Sequence, residues 1–159
     1  MSYHIYTTKG IVLSERPVRE ADRIYTILTR DLGLVRATAL GVRNSASKLR
    51  GNMEPFSLSS ISLVRGKEHW RLTSAESIRN IHNSLAIARP LALLEKLVQG
   101  ESTHPELFDT IERYLGESEE KLVAQILYHL GYLKKSDLSL SKKALIKAIN
   151  NGLQSTHLT

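Results

Sequence analysis

Between Ser74 and Ser84 the chain changes texture, and that change limits the fold more than any other feature. Upstream, Thr, Val, Ile, Gly and Arg come in short runs broken by turn residues; downstream, Leu, Ala, Glu and Lys recur at helical spacing. A chain of 159 residues makes one domain of ordinary size or two small ones. The break therefore predicts two domains, 1–80 rich in strands and 81–159 helical, and the fold class is α+β: a β-barrel plus an α-helical domain.

Five β-like runs stand in the first half: Tyr6 to Leu13, Arg23 to Thr29, Leu34 to Gly41, Phe56 to Val64 and His69 to Thr73. Asp31-Leu32-Gly33 suits a tight hairpin, because glycine tolerates the positive φ such turns need. With one long connection from Val42 to Pro55, the set fits a closed five-stranded OB-fold barrel and an open sandwich alike. The second half predicts a small helical bundle. Ser84 to Val98 holds one helix interrupted by Pro90, and Thr103-His104-Pro105-Glu106 has the spacing of a capping box. Ser118 and Ser141 precede stripes of Leu and Ile at i, i+4, and Gly131 either ends the third helix or is packed against.

Composition removes several functions. The chain has no cysteine, which excludes disulfides, thiolate zinc sites and a cysteine nucleophile. His4, His69, His82, His104, His129 and His157 lack metal-ligand spacing, so no metal and no cofactor is expected. Gly66-Lys67 runs into Glu68 and is no phosphate loop; neither G-x-S-x-G nor G-x-G-x-x-G occurs, so no enzyme activity is expected. The apolar runs are too short for a membrane span, which predicts a cytoplasmic protein with no membrane partner.

Charge points towards a partner. Residues 1–80 hold 13 Lys and Arg against 7 Asp and Glu, a net of +6, whereas residues 81–159 hold 9 against 9. From Leu32 to Met53 there is no acid, but Arg36, Arg43, Lys48 and Arg50 lie among Gly, Ser and Asn. Such cations neutralise phosphates and release their counterions, while small polar residues let the backbone approach. A solvated basic loop is the competing reading. With Lys9 and Arg71 these residues form the set expected to hold phosphates. Phe56 is expected to pack inside, and Trp70, beside His69 and Arg71, to be an exposed stacking platform. The run Arg16 to Arg23, three arginines among two acids, reads as a salt-bridged turn.

Taken in order, the first half resembles the RecO family of recombination mediators. The fragments are Gly10-Ile11-Val12-Leu13, Arg16-Pro17, Glu20-Ala21-Asp22-Arg23-Ile24, Leu28 to Val35, Ala39-Leu40-Gly41-Val42-Arg43, Lys48-Leu49-Arg50-Gly51, Glu54-Pro55-Phe56, Arg65-Gly66 and Leu72 to Glu76. In the second half Pro105-Glu106-Leu107-Phe108 and Leu127 to Leu133 are similar to the family's helical domain, and the likeness thins after Lys134. The resemblance implies an OB fold that binds single- and double-stranded DNA and anneals strands. It also implies action with RecR to load RecA onto DNA coated with single-strand-binding protein, in the RecFOR pathway of a bacterial, nucleoid-associated repair system. Many family members carry a four-cysteine zinc cluster that this chain lacks. The family's helical domain receives the acidic, apolar C-terminal tail of single-strand-binding protein, which makes Tyr132, Lys134 and Lys135 the expected dock. Two rivals stand beside this reading: a protein-interaction adaptor without DNA binding, and an OB-type RNA-binding module.

Overall fold

A computed structural model of the chain describes residues 4–43, 49, 51–81 and 85–157. It divides into two compact units, Met1–Asn83 with Gln99–His104, and Ser84–Val98 with Pro105–Thr159. The short segment 99–104 thus groups with the strands, although it lies downstream of the first helix.

Unit one is a closed barrel of β1 (Ile5–Pro17), β2 (Arg23–Thr29), β3 (Gly33–Ala39), β4 (Leu58–Val64) and β5 (Trp70–Arg79). Their order, β1-β2-β3-β5-β4, is antiparallel except for the parallel β3–β5 pair, the arrangement of an OB-type barrel. Closure decides between the two architectures that periodicity left open. It works because β1 is long enough to pair twice, with β4 over Ile5 to Ile11 and with β2 over Gly10 to Pro17, a register shift between Val12 and Ser14 bending it between partners. At the overlap stands Gly10, where an added Cβ would lie 2.7 Å from Ile27 Cγ2 and 3.0 Å from Ile61 Cδ1. A side chain there would have to displace Ile27 and Ile61, so glycine lets the strands close without repacking the core.

Alternation fixes the core. In β3, Val35, Ala37 and Ala39 face inward while Arg36 is exposed. Val12, Tyr25, Ile27, Ile61, Leu63 and Leu72 complete the interior, and Val42 and Met53 from the long 40–57 connection fold in over one end. The β2–β3 hairpin turns as expected, with Gly33 at φ 74° and the Thr29 hydroxyl donating to Gly33 O at 2.7 Å. Phe56 departs from expectation. It is half-buried at φ 64°, its N–H donating to Val12 O at 2.9 Å, and β4 starts two residues later.

Unit two comprises α1 (Leu85–Leu97), α2 (Pro105–Tyr114), α3 (Glu119–His129), a 3₁₀ turn over Lys135–Ser139, and α4 (Lys142–Ser155). Helix α3 is central and packs against the other three. Its Val123, Ala124 and Leu127 join Leu145 and Ile149 of α4 in the core. Ser118 and Ser141 cap α3 and α4 as expected, accepting from Lys121 N and Ala144 N. Gly131, at φ 88°, ends α3 while the Tyr132 N–H returns to Leu127 O at 2.8 Å.

Candidate nucleic-acid interface

Sheet register sorts the basic residues of the barrel. Arg16 is opposite Ile24, Ile24 opposite Thr38, and Thr38 opposite Arg71, so one row crosses β1, β2, β3 and β5. Tyr25 and Ala37, one residue along, face the core, which turns this row to the outer side of the barrel, where Ile24 is nevertheless buried and Thr38 half-buried, so its exposed charges stand at the two ends. Arg36 sits two residues before Thr38 and shares its face, diagonal to Arg71 across the parallel β3–β5 pair. Arg16, Arg36 and Arg71 are all exposed. Neither Arg36 nor Arg71 makes an ion pair among the described residues.

Arg43 lies at the end of the barrel beside this face. Its backbone N–H donates to Ala21 O at 3.0 Å and its Nη1 to Arg19 O at 3.2 Å, while Gly41 N–H donates to Asp22 Oδ1 at 2.8 Å. These bonds staple Gly41 and Arg43 to the β1–β2 turn, and among the described residues they engage only one nitrogen of the Arg43 guanidinium. Behind the staple opens a cavity of about 390 Å³, lined by Glu15, Arg23, Tyr25, Val42, Arg43, Met53 and Glu54. Arg23 Nη1 donates to Glu15 Oε1 at 2.7 Å, and the Tyr25 hydroxyl beside them is pushed up in pKa by burial and by Glu15. The turn read as salt-bridged holds one such pair within it, Arg19–Asp22 at 3.9 Å, while Arg23 pairs with Glu15 just outside it.

Lys9 stands elsewhere. It is exposed in a row with Ser60 of β4 and Glu76 of β5, around the barrel from Arg36. Lys48 and Arg50 lie outside the described residues. Of the six expected DNA-binding residues, the structure therefore brings Arg36 and Arg71 together, sets Arg43 at the adjoining end and places Lys9 apart. Sequence reasoning missed Arg16, whose outward row is visible only in the register.

Trp70 is not an exposed platform. It is 5% exposed and packs in the barrel core, with Tyr6 edge-on at 5.2 Å between ring centroids. Burying its indole N–H demands a partner, and Glu101 supplies it: Nε1 donates to Glu101 Oε1 at 2.9 Å. Arg65 Nη1 donates to Glu101 Oε2 at 2.7 Å, and its guanidinium carbon lies 4.6 Å from the Trp70 ring centroid. The Arg65 hydrogen bond, helped by that of Trp70 and opposed by partial burial, lowers the Glu101 carboxyl below its ordinary range.

In the helical unit Tyr132 is half-buried and packs on the core, so little of its ring is free to meet a partner. Lys134 and Lys135 are exposed, without ion pairs among the described residues. A groove of about 430 Å³ runs past Tyr132 and Lys134 to Asn151 and Gly152. Among the described residues no group of three His, Cys, Asp or Glu could hold a metal ion, and no helix is long and apolar enough to cross a membrane.

Comparison with known proteins adds a second line. The family model for the N terminus of recombination protein O matches residues 1–81. A DNA repair protein RecO of Synechococcus sp. is 34% identical over 170 residues, covering 96% of this chain and 53% of that protein. One from Gloeobacter violaceus is 35% identical over 130 residues, 82% of this chain and 47% of its own length. Another, from Dehalococcoides mccartyi, is 41% identical over 88 residues, 54% of this chain and 35% of its own. The chain spans about half the length, or less, of these curated relatives.

Proposed function

Because the chain belongs to the RecO family, we propose that it acts in DNA repair and recombination as a non-catalytic mediator that holds DNA on the outward arginine face of its barrel. The observation that carries this reading is the placement of Arg36 and Arg71 on one face without acidic partners among the described residues. Arg16 stands at the far end of the same row, beyond the buried Ile24, and Arg43 lies at the β1–β2 end of the barrel. Lys48 and Arg50 follow Arg43 in sequence and add charge to the same connection. Guanidinium groups so arranged grip phosphates without reading bases, so both single- and double-stranded DNA are ligands.

Binding of this kind releases counterions. If four to six phosphates are neutralised, log K falls against log salt with a slope of roughly −3 to −5. Fluorescence anisotropy with labelled single- and double-stranded oligomers over a salt series tests it. A flat salt response, or unchanged affinity in a variant carrying both Arg36→Glu and Arg71→Glu, overturns the reading in favour of an adaptor that binds only proteins. Matched DNA and RNA oligomers in competition separate a DNA mediator from an RNA-binding module.

Family membership also motivates the finer partners: RecR, with which the mediator would load RecA, and the acidic tail of single-strand-binding protein. In this proposal Lys134 and Lys135 meet the tail's carboxylates, with Tyr132 contributing only its exposed edge. A tail peptide titrated against the Lys134→Glu, Lys135→Glu variant should lose most of its affinity.

A further inference from the structure

Residues 99–104 lie on the barrel as a strap. The Leu34 N–H donates to Gly100 O at 3.2 Å. At Gly33, with φ 74°, an added Cβ would lie 2.7 Å from the Glu101 carbonyl carbon and from Ser102 O, so strap and hairpin backbones touch. From this fixed backbone Glu101 extends its carboxylate onto two donors that converge on it, Arg65 Nη1 and Trp70 Nε1. One donor is charged, the other is the N–H of a ring that the first donor covers. Two donors aimed at two oxygens of one anion are what a phosphodiester, with its pair of non-bridging oxygens, also requires. Nor is the pair sealed from solvent: the Arg65 side chain is 60% exposed and that of Glu101 43%.

Position matters as much as geometry. Val64, which precedes Arg65, is the register partner of Arg71, whose other neighbour is Thr38. Trp70 faces the core side of β5 and Arg71 the outer side, so the two donors stand at the β4–β5 end of the barrel, where a strand held on the Arg36 and Arg71 face would meet them by turning over that end.

Resting on the DNA-binding role proposed above, we propose that Arg65 and the Trp70 N–H form a phosphodiester cradle that Glu101 fills in the free protein and a phosphate of single-stranded DNA takes over. The exchange is anion for anion: two hydrogen bonds to the carboxylate break, two to phosphate oxygens form, and no proton moves. Only the Glu101 side chain swings out, because Leu34 and Gly33 hold the strap backbone. A strand of phosphates outcompetes the tethered carboxylate by engaging Arg36 and Arg71 at the same time. A short acidic peptide, the other source of suitable oxygens, lacks the reach to do so.

Trp70 is the chain's only tryptophan, so its emission reports the cradle directly. In the full chain, titration with labelled oligothymidylate is expected to change Trp70 emission along the same isotherm as label anisotropy. Glu101→Gln should tighten binding about three- to fivefold, the range of an exposed charge pair. Arg65→Ala should weaken binding and cancel that gain in the double variant. Absence of anisotropy change in the parent would remove the DNA-binding role itself. Saturable binding with silent Trp70 emission removes the cradle alone, and needs no substitution to observe. A Glu101→Gln gain that survives Arg65→Ala, no gain at all, or a larger emission change with a glutamate-rich peptide than with oligothymidylate also overturns the cradle.

Discussion

On the barrel, Arg36 and Arg71 stand on the outer face without an ion pair among the described residues, whereas on the helical unit Arg89, Lys121 and Lys142 each reach a glutamate, at 2.8, 3.7 and 3.9 Å. The sequence totals run the same way, +6 upstream and zero downstream. Exposed pairs like those of the helical unit add little stability, so their absence on the barrel face costs the fold little. What it changes is the field: unpaired guanidiniums summed on one face attract a polyanion, while charges neutralised in place do not. Four other arginines of the barrel do pair: Arg19 with Asp22, Arg23 with Glu15, Arg30 with Asp31 and Arg65 with Glu101 at the strap.

The largest expected contrast concerns backbone. Gly33 and Gly131 both have φ in the left-handed region, but a Cβ at Gly33 meets the Glu101 and Ser102 backbone while one at Gly131 meets open space. Gly33→Ala should therefore cost about 3 kcal/mol, strain plus displaced strap, and Gly131→Ala only about 1 kcal/mol. Denaturant midpoints of the two variants measure the difference. Equal costs would mean that the strap is not fixed to the barrel.

Next in size is the effect of charge on DNA binding. Reversing Arg36 and Arg71 together should weaken DNA binding about 10- to 100-fold at low salt and reduce the salt slope by about 2. The matching reversal of Lys134 and Lys135 should leave DNA binding within about twofold, since that unit holds 9 Lys and Arg against 8 Asp and Glu, a net of only +1. Comparable losses from both pairs would erase the distinction between the units. Both measurements use anisotropy over a salt series.

A smaller effect tests local helix signals, which are strongest in the helical unit. Ser118→Ala removes the hydroxyl that accepts from Lys121 N at 3.4 Å, a long bond, so a loss of about 0.5–1 kcal/mol is expected by thermal denaturation.

How far the sequence revealed the fold follows the same division. Ser118, Ser141 and Gly131 act within a few residues of themselves, and those helix limits were readable. Strand β2, Arg23–Thr29, was read correctly, because turn residues bound it on both sides. Strands β1 and β5 run past their apolar stretches, to Pro17 and Arg79, since pairing at a barrel end does not need burial. The outward turn of Arg36 follows from alternation alone. Its nearness to Arg71 rests on the parallel β3–β5 pairing, which only barrel closure creates, and closure likewise carries Lys9 to another side. Trp70 was misjudged because the group that satisfies its N–H comes 31 residues later.

Acid titration gives the finest comparison. Glu101 on the barrel and Glu120 at the start of α3 both have lowered carboxyl pKa values. At Glu101 the first cause is the Arg65 hydrogen bond; at Glu120 it is the backbone at its own helix N-terminus, with Lys142 adding attraction. A carboxyl lowered in the folded state contributes stability above its unfolded pKa, near 4.5 for both, and that contribution disappears as pH falls through the lower folded value. Stability should therefore decline below about pH 4.5 in two separable parts. Glu101→Gln should remove the part seen in Trp70 emission, because protonating Glu101 weakens its hold on Arg65 and on the indole N–H. Glu120→Gln should leave Trp70 emission unchanged and flatten only the acid dependence of helical circular dichroism. The Glu101 effect is small, since solvent screens a pair whose side chains are 60% and 43% exposed. If Trp70 emission is the same at pH 3 and pH 7 while the chain remains folded, the carboxylate is not what holds the indole, and the strap must be fixed by its backbone contacts alone.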